Sequence, residues 1–125
     1  MKFICDKASL LEAINTVQKA VSPKSTLPIL EGILLECYGT SLVLTGNDLE
    51  IGIRYEVMAS VSEAGSVVLN SRMFGDIVRK LPDAPVLVES DKNNITTIKC
   101  VNVDFLICLG HTTRYYTGTS EANYV

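Results

Sequence analysis

The chain has 125 residues, 47% of them hydrophobic and 20% charged, with 11 Lys and Arg against 14 Asp and Glu for a formal charge of −3. That size and balance describe one globular domain, able to bury roughly two thirds of its unfolded surface, and they exclude a disordered segment. The apolar runs are too short for a membrane-spanning helix, and the acidic balance excludes a protein that grips nucleic acid over its whole surface while leaving room for a local basic face.

Residues 2–5 read as a short strand. Lys2 and Asp6 put charge where a secretion signal needs an apolar stretch, which predicts a cytoplasmic protein. Cys5, Cys37, Cys100 and Cys108 are far apart, each within an apolar run, so there is no Cys-x-x-Cys motif. Without a secretion signal they are expected as buried thiols acting as small hydrophobes rather than as disulfides. Asp6 is a candidate N-cap, and Ser9 with Glu12 offers a capping box one turn later. Leu10, Leu11, Ile14, Val17 and Val21 then recur at helical spacing, and Pro23 predicts a helix end near Ser22.

A strand is expected over residues 29–38, then a turn at Gly39-Thr40-Ser41 and a continuation through Leu42 and Leu44. Gly46-Asn47-Asp48 reads as a second turn, built of residues that tolerate unusual backbone angles. Leu49, Ile51, Ile53, Tyr55 and Val57 alternate with Glu50, Gly52, Arg54 and Glu56, the clearest one-face-buried antiparallel strand in the chain. Past Gly65 comes a short strand at Val67-Val68-Leu69. Ser71 then stands where a cap would open a second helix with Phe74, Ile77, Val78 and Leu81 on one face, and Pro82 stops it. Val86-Leu87-Val88, the polar turn Asp91-Lys92-Asn93-Asn94 and strands over 95–99 and 101–109 complete the pattern. The order β-α-β-β-β-β-α-β-β-β predicts an α+β fold with two helices packed on one face of antiparallel sheet. Each helix is followed by strand, turn, strand. This is a weak sign of internal duplication that residue identity does not support.

Few residues carry chemistry. His111 is the single histidine, stands in a polar stretch and has no Cys or Ser partner at a recognisable spacing. Asp48 and Glu50 are two apart and would share a strand face, yet Asp48 belongs to a turn where a carboxylate bonds to backbone. No Gly-rich phosphate loop, zinc spacing or nucleophile elbow occurs, so no catalytic residue, metal or cofactor is expected. The cations are more informative. Lys7, Lys19 and Lys24 lie on or just beyond the first helix, and Arg72, Arg79 and Lys80 on the second. Either they meet phosphates weakly and without sequence preference, or they solvate the outer faces of amphipathic helices.

Several motifs together carry a family resemblance: Met1-Lys2-Phe3, Leu10-Leu11, Thr26-Leu27-Pro28-Ile29-Leu30, Leu44-Thr45-Gly46-Asn47-Asp48-Leu49-Glu50, and Phe74-Gly75-Asp76-Ile77 with Leu81-Pro82. Over residues 1–109 the chain resembles the N-terminal domain of the bacterial DNA sliding clamp, the DNA polymerase III beta subunit. That resemblance implies a DNA clamp domain in a non-enzymatic processivity factor. Three such domains per chain, two chains to a ring, encircle duplex DNA and tether the polymerase. The helices would line the hole, making Lys19, Lys24, Arg72, Arg79 and Lys80 candidates for non-specific DNA contact. Phe105 and Ile107, on the last strand, would lie at the subunit interface. Polymerase and clamp-loader peptides bind a pocket built from the second and third domains, for which this chain has no room, so a single domain would not function alone as a ring. The competing reading is a stand-alone α+β binding module of unrelated role. Homologous second and third domains encoded downstream in a shifted frame would decide between them.

Residues 110–125 depart from the family pattern, which calls here for Gly-Leu-Asp, an acidic pair, an aromatic and Pro-Glu-Leu-Pro. Thr117-Gly118-Thr119-Ser120 can be encoded ACC-GGA-ACT-TCC, and one base downstream the same letters read Pro-Glu-Leu-Pro. This predicts an atypical tail from a non-native reading frame, with no anchoring contacts and little order. It also predicts that the strand at 101–109, missing its usual partner, is an exposed edge prone to self-association.

Overall fold

The computed structural model describes residues 1–21, 32–47 and 50–107, together with the backbone of 108 and 112–117. Among the described residues, ten strands and two helices run in the order β1 (Lys2–Asp6), α1 (Lys7–Val17), β2 (Gly32–Tyr38), β3 (Ser41–Asn47), β4 (Gly52–Met58), β5 (Ser60–Glu63), β6 (Gly65–Asn70), α2 (Ser71–Lys80), β7 (Pro85–Ser90), β8 (Thr96–Cys100), β9 (Val103–Cys108) and β10 (Thr112–Thr117). All described strand pairings are antiparallel. The fold is the expected α+β, and its strands divide into two sheets, ordered β10-β9-β8-β7-β1-β5 and β4-β3-β2-β6.

Those two orders contain a duplication that residue identity hides. The units β1-α1-β2-β3-β4 and β6-α2-β7-β8-β9 have the same composition of elements. In each, the opening strand leaves its own meander and joins the other's: β1 pairs with β7, Phe3 opposite Val88, and β6 pairs with β2, Leu69 opposite Ile33. A strand beside its successor needs only a tight turn, whereas the helix after β1 and after β6 carries the chain across to the other sheet.

One core serves both halves. Phe3, Leu10, Ile14, Val17, Ile33, Leu35, Leu42, Leu44, Leu69, Phe74, Val78, Val88 and Ile98 are all buried in it. Inward residues alternate with outward ones on β2 as on β8, the pattern of sheets with one wet face. The cysteines Cys5, Cys37 and Cys100 are free, buried thiols in the same core.

Local expectations need four corrections. Asp6 occupies the N-cap position of α1 but its side chain makes no capping bond, and the proposed Ser9–Glu12 box lies inside the helix. The cap of α2 is Asn70, whose Oδ1 accepts from the Met73 N–H at 2.9 Å, and Ser71 is the first helical residue, buried. The regular turns of α1 stop at Val17, and the chain tightens to a 3-10 turn over Gln18–Ala20 before Val21 becomes extended. Finally, Gly46 and Asn47 are not a turn: they end β3, opposite Ile53 and Gly52. Glycine is needed at 46 because a Cβ there would lie 2.5 Å from the Val17 carbonyl oxygen, so the strand runs directly under the end of α1.

The tail also differs from expectation over six residues. Thr112–Thr117 forms β10, in register on β9 from Thr112 opposite Cys108 to Thr117 opposite Val103. The edge of β9 is therefore covered by the chain itself. An edge strand exposes unpaired N–H and C=O groups, and the nearest segment able to extend satisfies them. Residues 109–111 and 118–125, His111 among them, lie outside the described residues.

Candidate nucleic-acid interface

The helices lie side by side with their ends exchanged. Lys7, the first residue of α1, donates from Nζ to the carbonyls of Leu81 at 2.7 Å and Arg79 at 3.3 Å, at the end of α2. A helix C-terminus presents carbonyls without intrahelical partners and a partial negative charge, so an ammonium there is doubly favoured. At the other end of the pair, Gln18 Nε2 donates to the Ser71 carbonyl at 2.9 Å. Arg79 reaches back across to α1, with Nη2 donating to Asn15 Oδ1 and Gln18 Oε1, both at 2.9 Å, and Nη1 to Asp76 Oδ1 at 3.2 Å.

This sorts the candidate cations. Lys19, Arg72 and Lys80 are exposed and make no hydrogen bond or ion pair among the described residues. Arg79 is exposed but already committed between the helices. Lys24, and with it the Thr26-Leu27-Pro28-Ile29-Leu30 motif, lies outside the described residues. Segments 7–20 and 71–80 together hold five cations and two carboxylates, Glu12 and Asp76, in a chain whose overall charge is −3. The helix pair is thus net positive on an acidic molecule. Beside Lys19, the outer face of α1 forms an open depression lined by Ala8, Leu11, Glu12, Asn15 and Thr16.

Of the interface candidates on β9, Ile107 is buried in the core and Phe105 is half-buried against it. Both point inward, so any contact β9 makes at its edge is a backbone contact first. Asp48 of the carboxylate pair lies outside the described residues and Glu50 is exposed. Among the described residues no group of three His, Cys, Asp or Glu side chains could hold a metal, and no helix is long and apolar enough to cross a membrane. Burial pushes the Cys5 thiol up to about 11, aided by the Asp6 carboxylate, and raises the Cys37 and Cys100 thiols as well. These are poor nucleophiles. The clasp through Lys7, Gln18 and Arg79 escaped sequence reasoning, because nothing in the spacing of those residues says that the helices lie against each other.

A paired-helix face over two interleaved antiparallel sheets is the fold of sliding-clamp domains. A protein described as a DNA polymerase III beta subunit, from Eubacterium rectale ATCC 33656, superposes with a TM-score of 0.83 at 38% identity, covering 100% of this chain and 33% of that one. The Helicobacter pylori beta clamp bound to a DNA ligase peptide superposes with a TM-score of 0.80 at 26% identity, over 85% of this chain and 30% of that one. The beta sliding clamp of Bacillus subtilis (strain 168) is 34% identical over 113 residues, 84% of this chain and 30% of that protein. The family model for the DNA polymerase III beta subunit, N-terminal domain, matches residues 1–113. The chain belongs to that family and corresponds to its first domain, spanning about 30% of the length of the curated relatives it matches.

Proposed function

We propose that this chain is the DNA-facing first domain of a cytoplasmic replication clamp, a processivity factor and not an enzyme. Duplex DNA would run past the α1/α2 face, met by Lys19, Arg72 and Lys80, with Lys24 as a further candidate. The observation that carries this reading is the segregation of charge: a net positive helix pair on an acidic chain. Each cation offers one screened phosphate contact with no base readout, which suits a ring that must slide. Enclosure by a homodimeric ring, and tethering of polymerase and clamp loader, would belong to the whole protein. In it, the β9 edge near Phe105 and Ile107 would meet the partner subunit, which requires β10 to leave that edge.

A heteronuclear NMR titration with a random-sequence duplex tests the face. Association weaker than micromolar is expected at physiological salt, strengthening as salt is lowered, with the largest shifts at Lys19, Arg72 and Lys80. Shifts centred on the outer sheet surfaces would refute the assignment, and sub-micromolar binding at physiological salt would refute the dependence on enclosure.

A further inference from the structure

Among the described residues of the helix face, Arg79 is an exposed cation whose guanidinium is already engaged with protein partners. Its fork makes three hydrogen bonds, to Asn15 and Gln18 on the α1 side at 2.9 Å each and to Asp76 one turn back at 3.2 Å. Gln18 continues the chain of bonds to the first residue of α2 through the Ser71 carbonyl. Gly75 leaves the space this requires: a Cβ there would stand 2.6 Å from Gln18 Nε2 and 3.0 Å from Arg79 Nη1. The contact ties the C-terminal turn of α2 to Asn15 and Gln18, and Gln18, in the 3-10 turn after α1, also holds the first residue of α2.

We propose that Arg79 is a positioning residue and not a phosphate ligand. With Gln18 and Gly75 it sets the register of α1 against α2, and so the spacing of Lys19, Arg72 and Lys80. The clasp stands independently, while its consequence for DNA rests on the proposed function. The chemistry separates the two roles. A screened, non-specific phosphate contact of the kind proposed for Lys19 and Lys80 draws mainly on charge, which lysine keeps, whereas a clasp with three differently directed acceptors needs the planar fork, which lysine lacks.

The test combines thermal unfolding with duplex-DNA titration over a range of low salt concentrations. Arg79→Lys and Arg79→Ala are expected to lower the Tm by similar amounts, about 3–5 °C for a domain of this length. Adding Gln18→Ala to Arg79→Ala should cost less than the sum of the single losses, because the two side chains share one bond network. Arg79→Lys should also weaken DNA association although the charge is kept. Arg72→Ala and Lys80→Ala should leave the Tm in place and reduce the slope of log K against log salt by about 0.9 each. Recovery of the wild-type Tm by Arg79→Lys, or strictly additive Tm losses with Gln18→Ala, would overturn the clasp. A lowered Tm with unchanged DNA association in Arg79→Lys would overturn its positioning role. Unchanged salt slopes in Arg72→Ala and Lys80→Ala, with the Tm results as expected, would remove the DNA reading and leave the clasp.

Discussion

In the first half of the domain, α1 follows β1 with no residue between them, and Asp6, the last residue of the strand, makes no side-chain cap. In the second half, α2 likewise follows β6 with no residue between them, but the side chain of Asn70, the last residue of that strand, does cap the helix. The close approaches differ in the same way. The first half places its space-making glycine on a strand, with Gly46 under Val17, and the second places it on the helix, with Gly75 beside Gln18. Two units with one topology thus close their contacts by different residues. A path through space is preserved if each junction is satisfied somehow, and the chemistry of each junction is free to differ.

Gly46→Ala breaks the first half most severely. The new Cβ would face a backbone oxygen that cannot turn aside, so a loss of about 2–4 kcal/mol in denaturant unfolding is expected. Gly52→Ala is the control across the same hairpin. Among the described residues its Cβ meets nothing closer than Asn47 Cβ at 3.7 Å, and its effect should be small. Equal losses at both positions would show that backbone freedom, not the approach of α1, explains Gly46.

The pH dependence tests the β1 crossover. Cys5 lies on the strand that β1 contributes to the other half's sheet, and its thiol is pushed from 9.0 to about 11, chiefly by burial. The unfolded chain releases this proton near pH 9 while the folded chain holds it to about 11. The stability linked to Cys5 is therefore complete below pH 9 and is lost as pH rises through that window. Cys37 and Cys100 move in the same direction, so the total slope includes them. In Cys5→Ala the fall of unfolding free energy with pH should be shallower by about one proton. Parallel slopes would mean that Cys5 is not shielded by the crossed strand.

The smallest effect sharpens the capping difference. Asn70→Ala should cost about 1 kcal/mol, within the range for a lost N-cap. Asp6→Ala, which removes no capping bond, should cost a few tenths at most. A larger loss at Asp6 than at Asn70 would invert the comparison.

The candidate site was legible in part. Lys19, Arg72 and Lys80 could be placed on exposed helix positions because the apolar stripes of Leu10, Ile14, Val17 and of Phe74, Ile77, Val78 leave those positions outside. Arg79 could not be told from them, because its role depends on Asn15 and Gln18, 64 and 61 residues away in the chain. The motif around Gly46 was visible but misread: glycine beside asparagine is the usual language of turns, and a close helix–strand approach leaves the same letter. The β9 edge was read as free because strand pairing between 103–108 and 112–117 has no signature in a polar, aperiodic segment.

By itself the sequence determined the two amphipathic helices, most of the strands, the buried thiols of Cys5, Cys37 and Cys100 and, through its motifs, the family. These follow from periodicity and local residue chemistry, which act over a few residues at a time. Only the tertiary structure decided that the strands form two sheets, that β1 and β6 trade places, and that Arg79 and Lys7 face the neighbouring helix. A period-two pattern says that a strand has one buried face and is silent on which strand lies beside it. That choice is made by helices long enough to carry the chain across, and by a core that closes only when both halves are present.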